Sequence, residues 1–222
     1  MGRCIASTTE AIIVGDGYVD KKGRIGISHG IAQKDYLLWK ADLLRDDGFK
    51  VSIWEREVPH FRDRSIKLAA ICLLTSATFR GKELRERFYW QGSKQVPAGI
   101  DLNWQEWAII YQDDGRANKC AHYNILKEGN RVRVDCPSFV NMYEICVPSF
   151  SNESVERLIT SLRWLSVEAR SFVRNDGQRN IKINKVEPKA AFRDGVMDYI
   201  HPVMQYKINL PTSLRLANAS AR

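Results

Sequence analysis

Residues 10–17 read Glu-Ala-Ile-Ile-Val-Gly-Asp-Gly, and residues 108–115 read Ala-Ile-Ile-Tyr-Gln-Asp-Asp-Gly. Each phrase is an apolar stretch of helical character that ends in an acidic residue followed by a glycine. The aligned acids are Asp16 and Asp114. Because the order of the elements that follow each phrase also repeats, the sequence predicts two halves of one design. The two motif helices should pack side by side and bring both carboxylates to one end.

The bulk composition is typical of a globular protein with an anionic partner. The chain has 222 residues, of which 44% are apolar, so it can form one large domain or two small ones with a core. Lys and Arg number 34 against 26 acidic residues, and the sequence pI is about 9.3. There is no run of 18 apolar residues and no apolar signal core, so we expect an intracellular protein without a membrane span. The five cysteines and four scattered histidines lack the spacing of a metal site.

Periodicity and turn signals predict an α+β protein with two αββαββα halves and antiparallel sheets. The predicted helices are at 7–16, 33–47, 80–90, 104–114, 151–165 and 188–200. The predicted strands are a pair that turns at Lys21-Lys22-Gly23, followed by 49–56, 66–76, 119–127, 130–136, 142–148, 168–174 and 179–186. The halves should comprise residues 1–92 and 103–210, with a linker at 93–102 and a flexible tail at 211–222. Asp46-Asp47-Gly48 also ends a helix in acids and glycine, and we interpret it as an ordinary helix end.

The duplicated acids favour a divalent metal site. Mg²⁺ prefers a few carboxylates together with water and phosphate oxygens, and two carboxylates at the end of a helix pair provide such an open site. The basic excess lies mostly in predicted strands and hairpins rather than along a helix. Basic strands indicate a β-ribbon in the major groove of DNA, which is wide enough to admit one.

Further matches make the chain similar to a known family. The phrases Ala11–Gly17 and Ala108–Gly115 resemble the two copies of the LAGLIDADG motif. The segment from Gly92 to Pro97 and the segment from His201 to Lys207 resemble the lysine-bearing segments that close each half in this family. Over residues 10–210 the chain therefore resembles a monomeric LAGLIDADG homing endonuclease.

The resemblance implies a DNA-binding saddle and a set of site residues. The catalytic residues would be Asp16, Asp114, Lys94 and Lys207, in which the lysines polarise the attacking water or stabilise charge on the phosphate. The metal ligands would be Asp16 and Asp114, with Gly15 and Asp113 as their motif neighbours and Asp113 contributing only its backbone carbonyl. The DNA-binding residues would be Arg24, His29, Arg56, Lys119, Arg131, Arg133, Arg174, Arg179 and Lys182.

The family implies Mg²⁺ as the cofactor, with Mn²⁺ able to substitute and Ca²⁺ supporting binding without cleavage. The partner would be double-stranded DNA with a long, largely asymmetric site, cut on both strands to leave short 3′ overhangs. An intron-encoded or free-standing enzyme fits better than an intein, because no self-splicing block surrounds the motifs.

Two alternatives stay open from sequence alone. An RNA maturase that assists intron splicing on the same fold would keep the basic saddle and need neither acid. A non-catalytic DNA-binding regulator would be expected to lose one acid or to carry an added helix-turn-helix. The presence of both acids and both lysines favours the nuclease.

Overall fold

A computed structural model describes residues 4–5, 7–60, 63–125 and 131–208, with the side chains of 4–5, 119–125 and 131–139 outside that description. The first half contains β1 (Cys4–Ile5), α1 (Thr8–Val14), β2 (Tyr18–Val19), β3 (Ile25–Gly30), α2 (Lys34–Asp46), β4 (Val51–Pro59), β5 (Lys67–Thr75) and α3 (Phe79–Phe88). A connection follows with β6 (Tyr89–Trp90), β7 (Ser93–Lys94) and β8 (Ile100–Asp101). The second half contains α4 (Trp104–Asp114), β9 (Gly115–Ile125), β10 (Arg131–Cys146), α5 (Asn152–Trp164), β11 (Arg170–Val173), β12 (Arg179–Ile183) and α6 (Val186–Met197).

Both halves have the same sheet topology. The first sheet has the order β2-β3-β5-β4 and the second has the order β11-β12-β10-β9, and all neighbours are antiparallel. When strands are numbered within their own half, both sheets run first, second, fourth, third. The predicted α+β class and the αββαββα repeat are therefore confirmed. The proposed limits of the halves, the linker and the tail stay predictions, and the tail lies outside the described residues.

The motif helices α1 and α4 begin in the same way and pack against each other. Ser7 and Glu10 form a capping box at the start of α1, and Asn103 and Glu106 form one at the start of α4. The middle of each helix is fully buried in one core that spans both halves. At the crossing, a Cβ on Gly15 would lie 2.2 Å from Oδ2 of Asp113, so glycine is required there.

The predicted strands at 130–136 and 142–148 are wrong as separate elements, because β10 runs without a break from Arg131 to Cys146. Its register with β9 shifts between Cys136 and Val140 and again between Val140 and Met142. Pro137 lies in this stretch. A proline lacks an N–H for the ladder, and a bulge lets the strand continue past it. The predicted turn at 128–130 lies outside the described residues.

Most of the remaining helices and strands lie within a few residues of their predicted limits, but β9 begins at Gly115 instead of 119, and the two-residue strands β1, β6, β7 and β8 were not predicted. Helix α2 ends at Asp46, and Gly48, two residues beyond, has a φ of +86°, which confirms an ordinary glycine end at Asp46-Asp47-Gly48. Helix α6 begins at Val186, two residues before the predicted start, so Pro188 falls in its first turn, where the N–H has no partner in the helix. Within the residues described, no helix has both the length and the apolar character needed to cross a membrane.

Each half braces the lysine-bearing segment of the other half. The ring of Trp39 on α2 lies 5.9 Å from that of His201, which begins a 3₁₀ turn at 202–207. On the opposite side, the hydroxyl of Ser154 on α5 accepts a hydrogen bond of 3.0 Å from the backbone N–H of Val96. The two lysine segments are thus held in place by equivalent helices across the boundary between the halves.

Candidate active site

The two motif acids lie at the same end of the helix pair. Asp114 is the last residue of α4, and Asp16 follows Gly15, the residue that caps α1. Burial, together with the nearby charges of Asp16 and Asp113, raises the pKa of Asp114 to about 7. Burial and the charge of Asp113 also raise the pKa of Asp16. Crowded carboxylates hold protons more tightly until a cation neutralises them, so this end of the pair is suited to a cation.

The two predicted lysines make equivalent contacts with the two motifs. Nζ of Lys94 donates to the backbone carbonyls of Gly15 at 2.5 Å and Gly17 at 3.0 Å. Nζ of Lys207 donates to the backbone carbonyl of Asp113 at 2.7 Å. Gly15 and Asp113 each precede the motif acid, so the contacts repeat with the fold.

Both ammonium groups are largely desolvated. Burial lowers the pKa of Lys94 to about 8, although the charge of Asp114 acts in the opposite direction. Burial also lowers the pKa of Lys207, against the charges of Asp113 and Asp16. A partly desolvated cation beside carboxylates stabilises negative charge more strongly than one in water does.

Asp113 carries a buried charge network that sequence reasoning missed. Its side chain is fully buried and forms an ion pair with Lys40, whose side chain is also fully buried. Its carboxylate accepts hydrogen bonds from the Tyr36 hydroxyl and from the backbone N–H of Asp16, each at 2.9 Å. Burial alone would raise the pKa of Asp113, but Lys40 and His29 hold it below its ordinary value. The sequence places Tyr36 and Lys40 in the predicted helix at 33–47 and carries no local signal that they contact Asp113.

His29 does not lie on an exposed sheet face, where DNA contact was predicted. It is buried beside Asp16, with Nδ1 at 3.7 Å from the Asp16 carboxylate and Nε2 at 3.2 Å from Nζ of Lys40. Burial and the charge of Lys40 lower the pKa of His29 to about 4, so the ring is neutral at pH 7. Because an ammonium can only donate, Nε2 accepts from Lys40, and Nδ1 carries the proton that faces Asp16.

The oxygen donors at this end fit a hard divalent cation. A carboxylate oxygen of Asp16, a ring nitrogen of His29 and a carboxylate oxygen of Asp113 lie within 4.8 Å of one another. The Asp113 carboxylate, however, is already engaged by Lys40 and Tyr36. The open donors are therefore the carboxylates of Asp16 and Asp114, with the second lone pairs of the Gly15 and Asp113 carbonyls. Such an oxygen set is the kind that Mg²⁺ and Ca²⁺ prefer.

The other predicted DNA-binding residues are spread over the strands and hairpins of both sheets. Arg56 is exposed on β4, and Arg24 is paired with Asp20 beside β3. In the second half, Arg174 and Arg179 flank the turn between β11 and β12, and Lys182 lies on β12. The side chains of Lys119, Arg131 and Arg133 lie outside the described part of the chain.

Two αββαββα halves that meet through paired motif helices define the homing endonuclease fold. The chain belongs to the LAGLIDADG DNA endonuclease family, whose family model matches residues 11–190. Membership makes the protein a site-specific DNA endonuclease and accounts for the repeated motif at the centre of the molecule.

Solved structures share the fold at low sequence identity. The homing endonuclease I-WcaI bound to its DNA recognition sequence is similar with a TM-score of 0.68 and 19% identity, over 91% of this chain and 84% of that chain. A double mutant of I-SmaMI is similar with a TM-score of 0.50 and 11% identity, over 96% of this chain and 92% of that chain. No curated protein matches the sequence.

Proposed function

We propose that this endonuclease hydrolyses both strands of double-stranded DNA at one long, asymmetric site, acting as a monomer with Mg²⁺ held by Asp16 and Asp114. The observation that carries the proposal is the duplicated pair of groups at one end of the helix pair. Each half supplies one open carboxylate and one desolvated lysine, whose ammonium donates to the backbone carbonyl of the residue that precedes this carboxylate. Two such sets related by the repeat suit two scissile phosphates on opposite strands.

The chemistry divides between the metal and the protein. A divalent ion at the acids would lower the pKa of a bound water and stabilise charge on the scissile phosphate. Asp16 and Asp114 would hold the ion, and the backbone carbonyls of Gly15 and Asp113 anchor Lys94 and Lys207 beside it. Lys94 and Lys207 each place a cation where negative charge develops on the phosphate or on the attacking water.

The two sheets supply the grip on the duplex. Arg56, Arg174, Arg179 and Lys182 lie on or beside the strands, from which they reach phosphates or base edges. The halves are residues 1–92 and 103–210, joined by a linker at 93–102. We propose that the enzyme acts in a DNA-containing compartment of the cell.

A cleavage experiment on a randomised plasmid library tests the function. Sequencing the ends produced with Mg²⁺ should identify one long target and a short 3′ overhang. Asp16→Asn and Asp114→Asn should each abolish double-strand cutting, while binding in Ca²⁺ is largely kept. Asp46→Asn, in the Asp-Asp-Gly segment at the end of α2, is the matched control and should cut normally. Normal cutting by either motif variant would refute the two-acid site, and binding without cutting by the unmodified protein would favour a maturase or regulator.

A further inference from the structure

The first sheet has an inner face that packs on the helices and an outer face that points away from them. Ile27, Leu73 and Ile53 are paired in one row of the sheet and belong to, or pack against, the buried core. Because successive residues of a strand alternate in direction, their neighbours along each strand point outward. The outer face is made of twelve paired residues: Tyr18, Gly26, Ser28, Gly30, Ser52, Trp54, Arg56, Val58, Leu68, Ala70, Cys72 and Leu74.

The outer face of the first sheet is almost uncharged. Among these twelve residues, all of which the structure describes, only Arg56 carries a charge. Three large apolar or aromatic side chains stand open on it, with Tyr18 51%, Trp54 42% and Leu68 45% exposed. The ring of Tyr18 lies directly on Gly26, where an added Cβ would come within 2.3 Å of a ring carbon. Tyr18 is therefore already fixed in place, and little conformational entropy is lost when a partner contacts it.

The outer face of the second sheet has the opposite character. The row across its four strands joins Arg116, Glu144, Lys182 and Arg170, all of them charged. The next row joins Cys146, Asn180 and Phe172. Two sheets of identical topology therefore present different chemistry, and a partner held by both must differ between its two ends.

We propose that the first half reads a thymine-rich half-site, with Tyr18, Trp54 and Leu68 contacting the C5-methyl groups of thymines in the major groove. The inference rests on the proposed function and adds the chemistry of one half-site to it. In the major groove thymine alone presents a methyl group, and apolar side chains recognise it by contact. A face with one charge offers few hydrogen bonds to the other bases, which favours this kind of readout.

The edge of the same face favours a nucleic acid over a protein partner. Lys21 and Lys22 are exposed in the turn between β2 and β3, beside Tyr18. Arg56 lies toward the far end of β4. An apolar centre with basic residues at its margins matches a groove floor of methyl groups between two phosphate backbones. The second half, with its charged row, would read its half-site by hydrogen bonds instead.

The test removes only the methyl groups. Once the library has given the target, duplexes are made in which deoxyuridine replaces thymidine in one half-site or in the other. Affinity of the unmodified protein is measured in Ca²⁺ by fluorescence anisotropy. Binding should weaken about fourfold for each contacted methyl removed from one half-site. Replacement in the other half-site should leave the affinity nearly unchanged.

Protein variants assign the effect to the sheet. In Trp54→Ala the ratio of the affinities for the thymidine and the deoxyuridine duplex, with the replacement in the sensitive half-site, should fall toward one. Leu68→Ala provides the same test if Trp54→Ala does not fold. Lys182→Ala, on the second sheet, should lower affinity overall but keep the full deoxyuridine penalty.

Three results would overturn the proposal. One is equal affinity for all the duplexes, and another is a penalty that both apolar variants leave unchanged. The third is a cleaved target without thymines in either half-site. In each case cutting with Mg²⁺ would still stand, so the proposed function would survive. If the library yields no cleaved or bound duplex at all, both proposals fall.

Discussion

Replacing Lys40 by leucine should destabilise the protein severely. The Asp113 carboxylate would then be fully buried with two hydrogen bonds but no cation in direct contact with it. Breaking a buried ion pair in this way costs about 3–5 kcal/mol. For a chain of this size each kcal/mol lowers the melting temperature by roughly 2–4 °C. Asp113→Ala should cost a similar amount, because it leaves the Lys40 ammonium buried beside a neutral His29.

The double variant Lys40→Leu with Asp113→Ala should be more stable than either single variant. The pseudo-symmetric half shows why. The seventh residue of α2 is Lys40, whereas the seventh residue of the equally long α5 is Leu158, and Gly15 stands where Asp113 does in the other motif. The positions equivalent to the ion pair are therefore occupied by uncharged residues. Replacing both partners of a buried ion pair with uncharged groups is often neutral or stabilising.

Urea unfolding of the four proteins gives the coupling free energy between Lys40 and Asp113. We expect at least about 3 kcal/mol, the cost of an uncompensated charge. The exposed pair Lys34 and Glu55, bonded at 2.7 Å, is the matched control and should show little coupling. The paired role would be refuted if the losses in unfolding free energy of the two single variants add up to the loss in the double variant within about 0.5 kcal/mol.

At acidic pH the unfolding free energies of Lys40→Leu and of the unmodified protein should differ less than at neutral pH. The pKa of Asp113 lies below its unfolded value, so its contribution is present above that value and is lost as pH falls through the folded pKa. Without Lys40, the largest influence that opposes burial is gone, so the pKa of Asp113 rises and the variant's carboxyl becomes neutral at a higher pH. Destabilisation by Lys40→Leu should therefore be largest at neutral pH. An equal loss at every pH would contradict this reasoning.

Other expectations concern the metal, the lysines and salt. Because the pKa of Asp114 is raised to about 7, Mg²⁺ affinity measured by titration calorimetry should fall about tenfold per pH unit below 7 and level off above it. A flat profile would contradict that pKa. Lys94→Ala and Lys207→Ala should each slow one strand more than the other, so an end-labelled duplex should accumulate nicks; equal slowing of both strands would remove the lysines from the site. Affinity should fall roughly 10³–10⁵-fold between 50 and 200 mM salt if about 6–10 phosphates are neutralised, whereas a weak salt response would contradict a phosphate-tracking interface.

The repeat, the order of elements and the helix limits could be predicted from sequence because they depend on local signals. Capping residues, apolar periodicity and glycine ends act over a few residues. The motif acids could be predicted from the same repeat, since equivalent positions in two similar halves meet at the axis that relates them, whereas the lysines were implied by the resemblance to the family.

The buried network could not be predicted, because it joins positions that are far apart in the sequence. Lys40 and Asp113 each look misplaced alone, one in an apolar helix stripe and the other in an apolar motif helix. Only their packing across the two halves shows that each compensates the other. The break predicted within β10 failed for a related reason. Pro137 is a local signal for a strand end, but pairing with β9 carries the strand past it through a bulge.

The Lys40–Asp113 pair also gives each half a preferred partner. If two copies of the second half associated through their motif helices, each Asp113 would face the position of Leu158 and lose the ion pair that Lys40 provides. Two copies of the first half would bury Lys40 against Gly15, without an anion. Each half therefore accepts the other and rejects a copy of itself. Chimeric enzymes can be assembled from halves of different relatives. Their unlike halves should associate in preference to like halves only when the equivalents of both Lys40 and Asp113 are present.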